Sequence, residues 1–417
     1  MAKNVSVQKG KPVKLNNRLT AMGLVGAFGS FVSRTSSSRL AMVNSQYAQA
    51  IIPAKADTPR ILTGLESQLA QHCFGAKAPT QMMVIDVIPK YYANNGMLEG
   101  IKSNPKLIIV YQDLDAPDLS YNAIEINSHI KTHDTFGYRI QQTKTAHNFS
   151  VNQIIPKGTV LTHSSNIKYD MMEEGMFGTG LMANVIYLAL PGTIEDGFRV
   201  SKSFNERARS LTVGSRVAEW GKNSMPLNLY GDERNYRPYP DIGDTIRPDG
   251  ILMATRTIDP FMGAVDMTTK ALMEVDLVHD NVIYAKPGAK IVDVNVISSM
   301  TEGRFQTTPP AVAKQANYYA ELQSGFYERL LECHAKIMRQ DYRARIQPEF
   351  QRLLVAALAD KPNDPTRNNN RRRTESIKRY YRGNPLDEFR VEITFENEFE
   401  IGLSAKITDL AGGDILY

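Results

Sequence analysis

The sequence predicts an α+β fold in which β-strands predominate, and three observations support this prediction. Its 417 residues include 28 glycines and 21 prolines, which indicates many turns. Short β-branched runs closed by turn residues occupy residues 80–305, whereas helical spacing is concentrated in residues 311–360. At 42% hydrophobic residues the chain can bury a large core, and its length allows several domains or one large domain with insertions.

The first 53 residues predict little regular structure. Residues 1–18 are polar and basic and predict an exposed arm, and the Gly- and Ser-rich stretch that follows predicts loops. Residues Arg39–Gln49 predict a short helix or turn. The longest apolar run, Leu19–Val32, is too short and too Gly-rich to cross a bilayer, so we expect neither a signal peptide nor an anchor, and an intracellular, soluble chain.

Strands and turns are predicted through the middle of the chain. Met83–Ile88 and Lys106–Tyr111 are apolar runs of strand length that end in turn residues. Pro156–Leu161 and Ile246–Leu252 share another pattern, a tight turn that leads into an apolar strand.

The pattern changes after Pro310. Apolar residues recur at helical spacing over residues 311–360, and Pro348 predicts a division into two helices. Residues 361–385 are polar and rich in Asn and Arg and predict an exposed loop. The alternation in Phe389–Phe395 predicts a half-buried strand.

Positive charge is concentrated in two segments. Residues 1–18 carry a net charge of +5 and residues 367–382 a net charge of +6, so the rest of the chain is at −6 for a total of +5. This distribution favours a polyanionic partner near the two segments, with solvated loops as the alternative.

Three groups of residues have the chemistry of a site but also fit a structural role. Asp113, Asp115 and Asp118 could together bind a cation, or they cap a strand end at a polar turn. The pairs His72–Cys73 and Cys333–His334 do not have the spacing of a zinc site, and packing in the core is the favoured interpretation. We expect the single tryptophan, Trp220, to pack rather than to bind a ligand.

The adjacent acids Glu195 and Asp196 lie at a predicted turn. The apolar stretch Asn184–Gly192 before them predicts a strand that a Pro-Gly turn ends, and Gly197–Ser201 predicts the start of the next strand. One acid could contact a cation while the other has an orienting role. Alternatively, the two acids belong to an ordinary turn. The chain contains no phosphate-binding glycine loop, no dinucleotide fingerprint and no nucleophile elbow.

Several segments together resemble the β subunit of multisubunit DNA-directed RNA polymerase. The segments, which follow one another in the family's order, are Ser38–Met42 with Gln49–Pro53 and Thr63–Glu66, then Asn184–Val185 with Ile194–Ser201, then the turn Gly243–Leu252, and finally Lys406–Gly412. The family's subunit is much longer, so the chain resembles its middle-to-C-terminal part. Split, diverged β-like chains are typical of giant phiKZ-like bacteriophages.

The resemblance implies roles for five residues. Arg39 matches an arginine that contacts the triphosphate of the incoming nucleotide, and Gln49 matches a glutamine beside the RNA 3′ end. Glu195 and Asp196 match an acidic pair near the second Mg²⁺, and Lys406 matches one of two lysines that hold phosphates at the reaction centre. These residue types fit phosphoryl transfer, which depends on positioning and on neutralisation of phosphate charge.

The chain also departs from the family's pattern. Asp414 stands where the family has its second lysine, and Ala411 stands where it has a histidine. We therefore expect an altered site, or a coding frame interrupted after Gly412. The family's aspartate triad for the catalytic Mg²⁺ belongs to the β′ subunit and has no counterpart in this sequence, so the chain alone is expected to be inactive.

The resemblance implies four regions. Residues 1–80 would form the basic arm and a nucleotide-contacting segment, and residues 81–204 a β-rich hybrid-binding region with the first part of a double-psi β-barrel. Residues 205–385 would be a wall- or flap-like insertion with helices at 311–360 and a basic loop at 367–382. Residues 386–417 would be the truncated second part of the barrel.

The function that these expectations describe is template-directed RNA synthesis with a β′-like partner and Mg²⁺. Its partners would be the other polymerase subunits, the DNA template, RNA and nucleoside triphosphates, with no membrane, in the cytoplasm of the infected bacterium or in the virion. Nucleic-acid contacts are expected at Arg371, Arg372, Arg373, Lys378 and Arg379. The alternatives are a noncatalytic nucleic-acid-binding or virion structural protein and a metal-dependent enzyme built on Asp113 and Asp115.

Overall fold

The computed structural model describes a little over two thirds of the chain. The described residues are 24–29, 31–49, 53–72, 75–91, 104–118, 120–133, 136–142, 149–164, 167–169, 175–178, 180–186, 200–258, 268–298, 308–360, 387–399, 407–408 and 414–415. The chain divides into two units. Unit 1 comprises Met1–Cys73, Ser165–Ser210 and Phe399–Tyr417, and unit 2 comprises Phe74–Ser164 and Leu211–Glu398.

Six α-helices and 17 strands are formed by the described residues. The helices are α1 (Leu24–Ala27), α2 (Ser37–Gln49), α3 (Glu66–His72), α4 (Lys202–Arg207), α5 (Pro310–Gln340) and α6 (Pro348–Asp360). Strands of the first half are β1 (Met82–Pro89), β2 (Lys106–Asp113), β3 (Tyr121–Asn127), β4 (His129–His133), β5 (Phe136–Gln142), β6 (Ile154–Ile155), β7 (Thr162–Ser164), β8 (Ile167–Tyr169) and β9 (Gly175–Phe177). Those of the second half are β10 (Ser210–Gly221), β11 (Ser224–Pro226), β12 (Ile251–Thr257), β13 (Asp280–Tyr284), β14 (Lys290–Ser298), β15 (Asp387–Phe399), β16 (Ile407–Thr408) and β17 (Asp414–Ile415). The fold is therefore mixed α+β with many strands, as predicted.

Strand β2 is central in a four-stranded antiparallel sheet of unit 2 with the order β3-β2-β1-β6. Its continuous apolar run is explained by burial on both faces. Leu107, Ile109 and Tyr111 pack into one core, and the alternate residues Ile108 and Val110 pack into another.

Helices α5 and α6 cover one face of this sheet. Phe326, Leu330 and Cys333 of α5 recur at helical spacing and pack with Phe350 and Leu354 of α6 against the sheet. The two-helix prediction for residues 311–360 is confirmed, with the second helix beginning at Pro348 as expected.

The second large sheet of unit 2 is curved into a half-barrel. Its strand order is β13-β12-β11-β10-β15-β14, so consecutive strands β13 and β14 form opposite edges. Six strands laid flat would place those edges about 24 Å apart. The connection of residues 285–289 spans roughly 20 Å even when fully extended, so the sheet must curl.

The first half of α5 packs against the half-barrel. Ala313, Ala316 and Tyr319 join a core that contains Trp220 and Phe389, whose rings stack with centroids 5.3 Å apart. At 31 residues α5 is about 46 Å long, so one helix contributes to the cores of both large sheets. The expectation that Trp220 packs in the core is confirmed.

The predicted turns before apolar strands are present. Gly158 and Gly250 have φ values of 82° and 77°, a left-handed backbone conformation that is unfavourable for residues with a Cβ atom. Gly250 leads directly into the buried strand β12. The predictions for Met83–Ile88, Lys106–Tyr111, Arg39–Gln49 and Phe389–Phe395 are confirmed as well. The polar loop at 361–385 lies outside the described residues.

Unit 1 contains α1 to α4 and two strand pairs, β8–β9 and β16–β17. Two predictions here are wrong over the residues that the structure describes. Residues 184–186 form no strand, and Val185 and Ile186 are exposed, so burial does not favour one. The strand predicted from Gly197 does not include Ser201, whose hydroxyl accepts a hydrogen bond from the Phe204 amide and caps α4.

Candidate functional site

A cleft of about 920 Å³ opens to solvent in unit 2, and six cationic side chains line it. These side chains are Lys90, Arg139, Arg237, Lys290, Lys314 and Arg329. The acidic residues in the lining are Asp241 and Glu396. The cleft is therefore a basic site within a chain whose body is acidic by sequence.

One side of the cleft is formed by a buried ion pair at the end of β1. Lys90 Nζ lies 2.6 Å from Asp293 Oδ1 and donates a 2.5 Å hydrogen bond to Asn295 Oδ1, and both partners are on β14. The Tyr91 hydroxyl donates to the same Asp293 oxygen at 2.7 Å. Asn104 holds the Tyr91 backbone, accepting from its amide at 2.8 Å. The Asp293 carboxylate thus positions two consecutive residues of the lining.

Burial shifts the pKa values of three groups on this side of the cleft. It lowers the pKa of Lys90, although the charge of Asp293 counteracts it, and it raises the pKa of Tyr91 far above its ordinary value. Burial also lowers the pKa of His129, with Asp293 opposing and Lys90 reinforcing that shift. At neutral pH the Tyr91 hydroxyl is therefore protonated and the His129 ring is neutral.

The N-terminal half of α5 forms a second side. Gln315 Nε2 donates to Asp241 Oδ1 at 2.7 Å, and the Tyr319 hydroxyl donates to the same oxygen at 2.9 Å. The Ile242 amide donates back to the Tyr319 hydroxyl at 3.1 Å. These bonds attach the loop before β12 to the helix, so this wall is preorganised.

Two further cationic side chains of the lining form ion pairs with acids. Arg237 pairs with Asp241 at 2.6 Å and with Asp244, and Arg139 of β5 pairs with Glu396 of β15 at 3.2 Å. Desolvation lowers the pKa of Arg237, but the hydrogen bonds that its guanidinium donates to Asp244 and Asp241 outweigh this effect and the net pKa is raised, so its charge is permanent.

Two lysines of the lining supply accessible positive charge. Lys290, at the start of β14, and Lys314, on α5, are exposed, and no ion pair joins either to an acid that the structure describes. Tyr318 follows Lys314 by one helical turn and has 55% of its side chain exposed. The cleft therefore combines accessible positive charge with an accessible aromatic ring.

Of the five residues whose roles the resemblance implies, the structure describes Arg39 and Gln49, and both belong to unit 1. Arg39 is exposed on α2 of unit 1, and its Nη1 lies 3.9 Å from Met42 Sδ. Gln49 is the last residue of the same helix, about 15 Å farther along its axis. The other predicted site residues, Glu195, Asp196, Lys406, Arg371, Arg372, Arg373, Lys378 and Arg379, lie outside the described residues.

The Thr63–Glu66 segment has a local structural role. Glu66 accepts hydrogen bonds from the Thr63 amide at 2.8 Å, the Thr63 hydroxyl at 2.9 Å and the Gly64 amide at 2.9 Å, and these bonds close the turn that leads into α3. Gly64 has a φ of 85°, which favours glycine. Burial raises the pKa of Glu66, but these hydrogen bonds outweigh it and the net pKa is below the usual value.

The three aspartates after β2 form a hydrogen-bonded turn. Asp113 accepts from the Asp115 amide at 3.0 Å and from Gln347 Nε2 at 3.0 Å, and Asp115 accepts from the Gln81 amide at 3.0 Å. Asp118 pairs with Arg345 at 2.7 Å. Because each carboxylate already has protein donors, the structure favours the turn interpretation over a cation site.

Packing likewise accounts for the described Cys–His pair. Cys333 is buried, which raises its pKa to about 12, and the His334 ring meets Phe350 edge-on with centroids 6.0 Å apart. Among the residues that the structure describes, no three His, Cys, Asp or Glu side chains group as metal ligands would. None of the described helices combines the length and apolarity needed to cross a membrane.

Comparisons with known proteins add no identification. Neither the protein-family models nor the curated proteins contain a match to this chain.

Sequence reasoning missed the cleft because its residues are scattered. Lys90, Lys290 and Lys314 lie on separate elements, and the lining extends from Lys90 to Glu396. The one local signal is the spacing of Lys314 and Tyr318, four residues apart on a predicted helix, and that spacing is common on exposed helix faces.

Proposed function

We propose that this chain is a β-like subunit of a phage DNA-directed RNA polymerase. It would contribute to nucleotidyl transfer together with a β′-like partner that carries the Mg²⁺-binding aspartates. The observation that carries the proposal is the order of the four resembling parts, which extend from Ser38 to Gly412 in the sequence of the family.

Two structural features support the proposal. Arg39 is exposed on α2, where a guanidinium is accessible to a triphosphate. The segment Gly243–Leu252 forms a tight turn into a buried strand, with φ values of 95° at Gly243 and 77° at Gly250, as the resembling turn of the family implies. The parts of a double-psi β-barrel, with residues 205–385 as an insertion, belong to the same proposal.

Reconstitution with the partner subunits tests the proposed roles. We expect Arg39→Ala and the double variant Glu195→Ala/Asp196→Ala to slow RNA elongation most strongly at low nucleotide concentration, because the lost groups bind or position the triphosphate. Arg34→Ala is the matched control, since Arg34 is an exposed arginine in a neighbouring 3₁₀ helix outside the resembling segments. Unchanged elongation in both site variants would contradict the proposal, as would activity of the isolated chain.

A second candidate function is noncatalytic binding of nucleic acid, which the basic cleft of unit 2 and the two basic segments favour. Replacing Arg371, Arg372 and Arg373 by Ser should make the slope of log affinity against log salt less steep by up to about three units. An unchanged slope would assign these arginines to a solvated loop.

A further inference from the structure

We propose that the cleft of unit 2 binds a single strand of nucleic acid. Its phosphates would contact Lys290 and Lys314, and a base would stack on Tyr318. This inference does not depend on the polymerase proposal, because none of these three residues belongs to the segments that resemble the family.

The charge of the cleft favours a polyanion. Lys90, Arg139 and Arg237 are neutralised by the carboxylates described above, whereas Lys290 and Lys314 are exposed without an ion pair to a described acid. Two accessible ammonium groups at one concave site raise the local potential and attract phosphates.

Helix α5 places the ring of Tyr318 beside the charge of Lys314. Lys314 and Tyr318 are separated by one turn, about 6 Å along the helix axis. Tyr318 contacts Tyr319 with ring centroids 5.4 Å apart and an interplanar angle of 70°, and Tyr319 is in turn bonded to Asp241. The exposed ring is therefore supported by a fixed neighbour, as an aromatic platform for a base requires.

The exposed ring of Tyr318 favours nucleic acid over an acidic peptide as the ligand of the cleft. Lysines alone would bind either polymer, but an exposed ring at the same site adds stacking energy with a base, which the carboxylate side chains of an acidic peptide do not supply. A cleft of about 920 Å³ holds a short stretch of one strand, and its walls are fixed by the bonds of Asp241 and Asp293.

The test measures binding of the full chain to labelled oligothymidylate and oligouridylate of about 12 nucleotides as a function of salt. We expect Lys290→Gln/Lys314→Gln to weaken binding and to make the slope of log affinity against log salt less steep by about 1.4 units, since each single-strand phosphate contact contributes roughly 0.7. Lys222→Gln/Lys270→Gln is the matched control, because it removes two exposed charges of unit 2 outside the cleft. It should leave both affinity and slope unchanged.

A second pair of variants tests stacking. Tyr318→Ala should weaken binding about 5- to 100-fold with little change in the salt slope, whereas Tyr318→Phe should keep the wild-type affinity. These side chains are exposed, so all the variants are expected to fold, and thermal unfolding checks this.

Three outcomes would overturn the inference. The first is that the two double-lysine variants weaken binding equally, and the second is that Tyr318→Ala leaves the affinity unchanged. The third is that polyglutamate displaces the strand and that its own binding falls as much as that of the strand when Lys290 and Lys314 are replaced. The third outcome would assign the cleft to an acidic peptide. This binding assay does not require RNA synthesis. The result of the reconstitution experiment therefore does not affect it, and each proposal can be contradicted independently of the other.

Discussion

Two buried ion pairs of unit 2 involve strands at opposite edges of the half-barrel, and they are built differently. Arg256 and Asp280 join β12 to the edge strand β13 through two parallel bonds of 2.7 and 2.8 Å. Arg256 also donates to the Ala271 and Glu274 carbonyls, so the loop before β13 is held by one guanidinium. Lys90 and Asp293 meet at a single contact beside the cleft.

The two pairs differ in chemistry and in their relation to the candidate site. A guanidinium stays charged when buried and needs a carboxylate in fixed geometry, whereas a lysine can lose its proton when its environment is unfavourable. The Arg256–Asp280 pair holds the loop before β13, and neither residue lines the cleft. The Lys90–Asp293 pair supports Tyr91 and adjoins His129, so changes there reach the candidate site.

The largest effect is expected from Asp280→Asn. It leaves a buried guanidinium without its counter-charge, and we expect the free energy of unfolding to fall by about 3–5 kcal/mol. Urea unfolding followed by the fluorescence of the single tryptophan, Trp220, measures this, since Trp220 is buried in unit 2. Asp249→Asn is the control, because its pair with Arg247 is partly exposed and should contribute less than about 1 kcal/mol. Equal losses in the two variants would remove the distinction between buried and exposed pairs.

Asp293→Asn is expected to have the second largest effect, about 2–4 kcal/mol at neutral pH. Burial already lowers the pKa of Lys90, and losing Asp293 removes the charge that opposes this shift. The deficit should therefore shrink as pH rises and Lys90 deprotonates, while the deficit of Asp280→Asn stays constant. Parallel unfolding curves at pH 7 and pH 9 check this, and two deficits with the same pH dependence would contradict it.

Tyr91→Phe tests the second donor on Asp293. Removing the hydroxyl deletes one hydrogen bond to a carboxylate that keeps its lysine, so we expect a loss of about 1–2 kcal/mol. Tyr342→Phe is a matched control, because Tyr342 has 73% of its side chain exposed. The assay is the same urea titration, and a loss as large as that of Asp293→Asn would mean that the hydroxyl, not the lysine, dominates the cluster.

The smallest effect concerns His129. Burial lowers its pKa below the ordinary 6.5, so the unfolded chain takes up a proton at a higher pH than the folded chain does. Its contribution to stability is therefore present above pH 6.5 and is lost as the pH falls below that value. We expect His129→Gln to lose less stability than the wild type between pH 7 and pH 5. A steeper loss in the variant would mean that the carboxylates of Asp293, Glu392 and Glu396 dominate instead.

Much of the fold could be predicted because its signals are local. The continuous apolar run of β2, the helical spacing of Phe326, Leu330 and Cys333, and the alternation in Phe389–Phe395 each follow from burial of one or two faces. The failure at residues 184–186 has the same origin. An apolar run predicts a strand only where a sheet buries it, and Ile186 is exposed.

Local signals in the sequence located strands β1, β2 and β15, helices α5 and α6 and the turns at Gly158 and Gly250, since hydrophobic period and glycine geometry act over a few residues. The sequence also determined the resemblance on which the polymerase proposal depends. Only the tertiary structure decided that Lys90 meets Asp293, 203 residues later, and that Lys290, Lys314 and Tyr318 border one cleft. Curling of the half-barrel and packing of α5 bring these residues together, and such long-range contacts leave no local trace in the sequence.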